Sequence, residues 1–270
     1  MRISLAADGP LSHIFSTLMR LVVVFSISLL VVHAQEQQQR RFTPEGETMA
    51  NNLTEALVES TANDWYSVVH HRFTDELADG TLSKEVLKCY LIQDHRFLDA
   101  FIVLLSSMVA RARSLSDRLP GARFLGLIAG DENTYFERSF EALGVSKAER
   151  EKVPDAAPTA LFKELMVDAA HSGSLGEMLA VLVVAEWSYQ SWGERVLPQV
   201  AKDLPFYFRE WIDLHSGEYF GSVVGYLKGL LDAEEARMSK EERAAVGERW
   251  AAAVELEMRF FDHCYGLDES

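Results

Sequence analysis

Helical periodicity is the sequence feature that most limits the fold of this chain. Beyond Met49, nearly every long segment places apolar residues three and four positions apart, the spacing of one face of an α-helix. No stretch of useful length alternates apolar and polar residues, so no strands are predicted. Helices of about 15 to 30 residues joined by short loops predict an all-α, single-domain helical bundle.

Residues typical of helix ends predict several boundaries. Ser83 can cap a long helix, and a second helix is expected over about 119–143, ending before Gly144 as a C-terminal cap. The remaining expected features are capping boxes at Ser146 and Ser239, a loop at Pro154 and Pro158, an N-cap at Thr159, and helices over about 175–197 and 241–264.

Charge and cysteine content exclude several classes of protein. The chain has 26 Lys and Arg against 41 Asp and Glu, for a net charge of −15. Such a chain repels nucleic acid and anionic lipid, and it contains no basic stripe, so no nucleic-acid partner is expected. Two cysteines, Cys89 and Cys264, are too few for a disulfide framework or a cysteine-based zinc site.

The N-terminal segment has the parts of a signal peptide. An apolar run over residues 21–32 follows Arg20 and precedes a small-residue site at Ala34. The run is shorter than the roughly 20 residues that a bilayer span needs, so no stable membrane span is expected. The alternative is a non-native extension, with the domain starting near Met49. Residues 1–48 are therefore treated as a signal-like segment and linker, and 49–270 as the domain; a genuine signal peptide would make the protein secretory.

Three carboxylic acids lie inside strongly apolar helical stretches. Burial of an ionised carboxylate is costly unless it is paired, and burial also raises its pKa toward the range used in acid–base catalysis. The three acids each have an aromatic residue three positions later on the same helix face, namely Phe97 after Asp94, Tyr189 after Glu186, and Phe260 after Glu257. Asp94, Glu186 and Glu257 are therefore candidate site residues.

Structural roles for these acids remain open at the level of sequence. Asp94 could form an ion pair with Arg96 or Arg111, and Glu257 could face solvent in the same way as Glu255. Periodicity places the acids on separate helices and does not bring them together.

No cofactor or metal is expected from the motifs. Helical bundles often hold metals through repeated Glu-x-x-His pairs, but Glu186 and Glu257 have aromatic residues at that offset. Glu132, Glu137, His215 and Glu218 give no repeated ligand pattern. The chain also lacks a glycine-rich phosphate loop, a nucleotide fingerprint and a Ser-His-Asp pattern.

A set of motifs over about residues 55–265 resembles the TenA/thiaminase-II family, which has the haem-oxygenase-like all-α fold. These motifs, in order, are Asp75-Glu-Leu-Ala-Asp-Gly80-Thr81-Leu82, Tyr90-Leu-Ile-Gln-Asp94-His-Arg-Phe97-Leu98, Pro158-Thr159-Ala160, Leu179-Ala-Val-Leu-Val-Val-Ala-Glu186-Trp187-Ser-Tyr189-Gln-Ser-Trp-Gly193-Glu194, Trp211-Ile212, Ser216-Gly217-Glu218-Tyr219-Phe220, and Glu257-Met-Arg-Phe260-Phe261. Their order and spacing are distinctive together.

The resemblance assigns roles to several residues. It implies that Asp94 binds the edge of an aminopyrimidine ring, that Phe97 stacks on the ring, and that Tyr189 belongs to the site. It also implies that Glu257, on the last helix, acts as acid or base on a ring nitrogen. The second family tyrosine corresponds to Phe162 or a neighbour.

The sequence departs from the family pattern at the nucleophile. The usual cysteine corresponds to Ala185, and a later family aromatic corresponds to His215. One subgroup of the family lacks the cysteine and carries a glutamate in an E-x-x-Y setting, which Glu186-Trp-Ser-Tyr189 resembles. In that reading Glu186 is a general base or a nucleophile.

The resemblance implies a carboxylate-based C–N hydrolase of thiamin salvage. Its substrate would be an aminomethyl- or formylaminomethyl-pyrimidine, and its product 4-amino-5-hydroxymethyl-2-methylpyrimidine. It also implies a cytoplasmic homo-oligomer. The alternatives are a non-catalytic pyrimidine-binding or regulatory protein and a metal-dependent or quinone-forming oxidase of the same fold.

Overall fold

The computed structural model describes residues 52–267, and this part of the chain contains twelve α-helices and no strands. The helices are α1 (Leu53–Ser60), α2 (Ala62–Val69), α3 (Arg72–Asp79), α4 (Lys84–Arg111), α5 (Leu115–Leu127), α6 (Asn133–Leu143), α7 (Lys147–Lys152), α8 (Ala157–Ser172), α9 (Leu175–Val196), α10 (Phe206–Leu214), α11 (Gly217–Glu235) and α12 (Lys240–His263). A π-helical turn, Ile128–Glu132, joins α5 to α6, and a 3-10 turn, Leu197–Gln199, follows α9.

Helix α9 lies at the centre of the bundle. Its residues 178–185 are all buried, as expected for a helix that is apolar on every side. Helices α4, α8, α11 and α12 pack against it, and α4 also packs along α8. The all-α bundle that periodicity predicts is therefore confirmed for residues 52–267.

Capping side chains begin several of the helices. The Ser83 hydroxyl accepts a hydrogen bond from the Val86 amide at 3.2 Å and starts α4. Complete capping boxes start α7 at Ser146 and α9 at Ser174. These residues satisfy backbone amides that have no partner inside the helix, which determines where each helix begins.

The predicted helix over 119–143 is wrong in two respects. It begins earlier, because the Ser114 hydroxyl accepts from the Asp117 amide and starts α5 four residues upstream. The π-helical turn Ile128–Glu132 then interrupts it before α6 begins. Gly144 ends α6 with a positive φ of 70°, as predicted.

Two further capping predictions are corrected. Thr159 does not cap α8, because the helix begins at Ala157 with Pro158 in its first turn and Thr159 buried. Ser239 caps α12 by accepting from the Glu242 amide at 3.1 Å, but the return bond of a capping box is not made.

None of the helices described between residues 52 and 267 has the length and apolar character needed to cross a bilayer. The signal-like segment and the domain boundary after residue 48 lie outside the described residues.

Candidate active site

A cavity opens between α4, α8, α9, α12 and the end of α10. It contains about 490 Å³ of space between protein atoms, part of it open to solvent. Five aromatic side chains, Phe97, Phe101, Phe162, Trp211 and Phe260, form much of its wall. The Phe97 and Phe162 ring centroids are 5.0 Å apart, with the rings edge to face. An apolar wall of this kind suits a flat aromatic ligand.

All seven site residues expected from the sequence line this cavity. They are Asp94 and Phe97 from α4, Phe162 from α8, Glu186 and Tyr189 from α9, His215 from the end of α10, and Glu257 from α12. Helices far apart in the sequence therefore supply one site, which the periodicity of each helix could not show.

Glu186 interrupts the buried run of the central helix. The eight residues before it are packed into the core, and its carboxyl group reaches the cavity together with the Ala185 methyl group. Ala185 is the position where the resemblance places a cysteine, so the cavity wall has a methyl group in place of a thiol. Neither Cys89 nor Cys264 is among the lining residues.

Asp94 is buried without an ion-pair partner among residues 52–267. Asp94 is 7% exposed, and its Oδ2 atom has no hydrogen-bond partner in this part of the chain. The alternative of a structural ion pair is wrong, because Arg96 contacts Asp155 and Arg111 donates to backbone carbonyl oxygens at the end of α8. The Asp94 carboxyl group is therefore available to a ligand.

Glu257 also points inward. It is 3% exposed and lines the cavity, whereas the Glu255 side chain is 62% exposed and pairs with Arg259. Two residues along a helix correspond to about 200° of rotation, which separates the two faces. The alternative of a solvent-facing Glu257 is wrong.

Glu132 is a site residue that sequence reasoning missed. It ends the π-helical turn and lines the cavity as a fourth acid. In the sequence it was considered only as a metal ligand, and the apolar residue Ile128 four positions earlier is a weak signal of an inward face. π-helical turns occur frequently at functional sites, but no sequence pattern marks this one.

Burial raises the pKa of all four carboxyl groups, and repulsion from neighbouring acids adds to the rise for the three glutamates. Burial raises the pKa of Asp94 to about 7, and the Tyr90 hydroxyl opposes this rise in part. Burial, with the charge of Asp94, raises the pKa of Glu132 to about 8. Burial also raises the pKa of Glu186 and of Glu257 well above their usual range, and neighbouring acids add to the rise. Several of these groups are therefore protonated at neutral pH.

Two hydroxyl groups and an imidazole complete the polar lining. The Tyr189 hydroxyl lies 2.7 Å from that of Tyr90, so Tyr189 is oriented by a buried hydrogen bond. His215 Nδ1 lies 2.8 Å from the Trp211 carbonyl oxygen, to which it must donate. Burial lowers the pKa of His215 to about 4, so its ring is neutral and Nε2 is an acceptor.

The four acids do not form a metal centre. Among residues 52–267, no group of three or more His, Cys, Asp or Glu side chains is arranged to hold a metal ion. A cavity with several protonated carboxyl groups, neutral imidazole and aromatic walls can instead bind an organic ligand by its edges and move protons to and from it.

The part of the chain that forms this cavity matches a known protein family. The TENA/THI-4/PQQC family matches residues 59–266, which include every residue of the cavity. The chain belongs to this family. Membership confirms the resemblance drawn from the motifs.

Similar proteins of this family are known from several bacteria. The chain is 27% identical over 212 residues to the aminopyrimidine aminohydrolase of Halalkalibacterium halodurans, covering 78% of this chain and 94% of the relative. It is also 27% identical over 214 residues to the aminopyrimidine aminohydrolase of Bacillus subtilis, covering 79% of this chain and 89% of the relative.

Several solved structures have the same fold. A TenA homologue from Pyrococcus furiosus superposes with a TM-score of 0.71 at 22% identity, covering 79% of this chain and all of that one. A domain with a haem-oxygenase-like fold from Shewanella denitrificans gives a TM-score of 0.59 at 16% identity, covering 81% and 94%. The predicted haem-oxygenase-like fold is confirmed.

Proposed function

We propose that this protein is an aminopyrimidine hydrolase of thiamin salvage that uses carboxyl groups where relatives use a cysteine. The observation that carries the proposal is the convergence of Asp94, Glu186 and Glu257 on one aromatic-lined cavity with Ala185 beside Glu186. The names of the curated relatives from H. halodurans and B. subtilis support the same enzyme class, a hydrolase of C–N bonds.

The cavity suits a single aminopyrimidine ring. Phe97 would stack on the ring, with Phe162 closing the slot from the side. The unpaired Oδ2 of Asp94 would accept a hydrogen bond from the ring edge, and the resemblance assigns Glu257 to a ring nitrogen. Tyr189 and His215 would lie beside the aminomethyl group that the ring carries.

The reaction exchanges an amine for a hydroxyl group. The bond between the exocyclic methylene carbon and nitrogen breaks, and the nitrogen leaves with an added proton. The oxygen of water bonds to the methylene carbon and loses a proton to a carboxylate. In the direct form the Glu186 carboxylate removes that proton. In the covalent form the Glu186 carboxylate displaces the amine from the methylene carbon, and water then attacks the same carbon, breaks its bond to the carboxylate oxygen and regenerates Glu186. Glu186 lies next to Ala185, the position of the family cysteine, and this supports either role for Glu186.

The glutamine variant of Glu186 tests its role. Glu186→Gln keeps the size and polarity of the side chain but cannot accept a proton, so we expect turnover of aminomethylpyrimidine to fall by about 10²–10⁴-fold, whereas its affinity falls by no more than several-fold. Turnover is measured by product release and binding by calorimetry. Glu194→Gln, on an exposed turn of the same helix, is the matched control. Unchanged turnover in Glu186→Gln would remove Glu186 from the mechanism.

Thiamin itself should be a poor substrate. Thiamin cleavage in the cysteine-bearing relatives is attributed by the resemblance to a thiolate, and Ala185 supplies none. We expect aminomethylpyrimidine turnover to exceed thiamin cleavage by at least about tenfold. A panel of thiamin, aminomethyl- and formylaminomethyl-pyrimidine measures this ratio. Robust thiamin cleavage would contradict the carboxylate mechanism, and binding without any product would favour the non-catalytic alternative.

A further inference from the structure

The cavity has an unusual balance of charge. Its titratable lining groups are the carboxyl groups of Asp94, Glu132, Glu186 and Glu257, the hydroxyl of Tyr189 and the imidazole of His215. No lysine or arginine lines the cavity within the described residues. The one basic side chain, His215, donates to a backbone carbonyl and is neutral. The lining can therefore become negative but not positive.

One of these carboxyl groups lacks a partner. Asp94 Oδ2 is buried without a hydrogen bond, although an unpaired buried acceptor costs about 1–3 kcal/mol. The cation nearest in sequence, Arg96, is committed elsewhere, because it contacts Asp155, which also accepts from Lys163 Nζ at 2.9 Å. The protein therefore leaves in place a buried acceptor that a ligand can satisfy.

Four acids in one cavity cannot all ionise, because each charge opposes the next in a medium of low dielectric constant. A cationic ligand changes this balance, since it allows one carboxyl group to become a carboxylate beside it. Binding then releases that proton to solvent. An anionic ligand would add a further negative charge to the cavity, and no positive group of the lining could pair with it.

We propose that this cavity takes its ligand as an organic monocation without phosphate, and that binding at neutral pH releases a proton from the acid cluster. This inference rests on the proposed function only in its choice of substrate. Between the two candidate substrates, we expect the cavity to bind the aminomethylpyrimidine, which is protonated on its amine, more tightly than the neutral formylaminomethyl derivative. The phosphate ester of the hydroxymethylpyrimidine is rejected.

Three planar one-ring compounds test the charge requirement without any turnover. Benzamidine, benzamide and benzoate have nearly the same shape and carry +1, 0 and −1 at pH 7. We expect benzamidine to bind at least about tenfold more tightly than benzamide, and benzoate not to bind. Titration calorimetry on the full chain measures each affinity. Equal affinities for benzamidine and benzamide, or binding of benzoate, would overturn the proposal.

Proton release supplies a second measurement. Calorimetric titration of benzamidine at pH 7 is repeated in phosphate and in Tris, which differ in their heat of protonation. We expect release of a measurable fraction of one proton with benzamidine and none with benzamide. Binding of benzamidine without proton release would mean that the acids are already ionised, which contradicts the proposal.

Two variants test whether the preference for a cationic ligand arises in this cavity. Glu186→Gln should reduce the preference for benzamidine over benzamide by several-fold, whereas Glu194→Gln should leave it unchanged, because Glu194 is exposed and accepts from Gln190. If the wild type, Glu186→Gln and Glu194→Gln all show the same preference for benzamidine over benzamide, the cation binds outside this cavity and the proposal is overturned.

These results separate the two proposals. If benzamidine binds with proton release but no aminopyrimidine is hydrolysed, the proposed function fails and the charge selection stands. If aminomethylpyrimidine is hydrolysed but benzamide binds as well as benzamidine, the function stands and the charge selection fails.

Discussion

At the scale of single residues, the site consists of acids that the fold keeps out of water. Asp94 and Glu257 are almost fully buried, and no arginine or lysine in the described part of the chain pairs with either of them. Such groups weaken the folded state at neutral pH, because burial opposes their ionisation. Their retention is expected for residues that serve binding or catalysis, since apolar side chains there would give a more stable protein.

The burial of Asp94 makes the free energy of unfolding depend on pH. Its pKa is about 7 in the folded protein against an ordinary value of 3.8, so between these values the folded protein holds more protons than the unfolded chain. The free energy of unfolding therefore falls as pH rises from about 4 to 7. Asp94→Asn removes this loss, and we expect its Tm to exceed that of the wild type by roughly 5 °C at pH 8.

Thermal melts at several pH values measure the effect of Asp94→Asn. The difference in Tm should shrink toward zero below pH 4, where the aspartic acid is neutral in both states. Asp99→Asn, on an exposed turn of the same helix, is the matched control and should not reproduce this pattern. A variant that is less stable than the wild type at pH 8 would contradict the proposed energetics.

At the scale of elements, a close approach of two helices holds His215 at the cavity. Gly193, on α9, faces the end of α10, and a Cβ atom there would lie 2.4 Å from the His215 carbonyl oxygen. Only a residue without a side chain allows this distance. The requirement is for space, because Gly193 lies within a regular helix.

Gly193→Ala should therefore be destabilising. We expect a loss of about 1–3 kcal/mol in the free energy of unfolding, because the backbone of His215 must move to accept the methyl group. Gly229→Ala on α11 is the control: its Cβ would meet no atom within 4 Å, and the higher helix propensity of alanine should leave stability equal or raised by up to about 1 kcal/mol. Urea unfolding measures both, and equal stability of the two variants would contradict this packing.

Element boundaries show what short-range patterns can predict. The caps at Ser83 and Ser146 can be predicted from sequence, because a cap depends on residues within three positions of each other. The π-helical turn at 128–132 was missed, because its hydrogen-bond pattern depends on how α5 and α6 pack on the rest of the bundle.

At the scale of the whole molecule, the family match covers the domain and leaves the N-terminal segment apart. The family extends over residues 59–266, while the signal-like segment precedes it. We expect a chain that begins at Met49 to fold and to hydrolyse aminomethylpyrimidine at the rate of the full chain. Thermal melting and turnover of both forms test this, and a fragment that fails to fold would contradict the boundary at residue 48.

The oligomeric state is a separate prediction at this scale. The resemblance implies a homo-oligomer, and light scattering on the same fragment gives its mass directly. A mass above that of one chain is expected, and a monomer would contradict it.

Local sequence patterns are enough to predict most of the helices, the family, and which acids stand in apolar surroundings. These properties depend on neighbours three or four positions apart, and Asp94, Glu186 and Glu257 could be recognised from such neighbours alone. The packing of the helices brings these acids together, adds Glu132 to them, and leaves every lysine and arginine of residues 52–267 outside the cavity lining. Convergence, burial and the resulting pKa values depend on distances between segments far apart in the chain, and local periodicity contains no information about those distances.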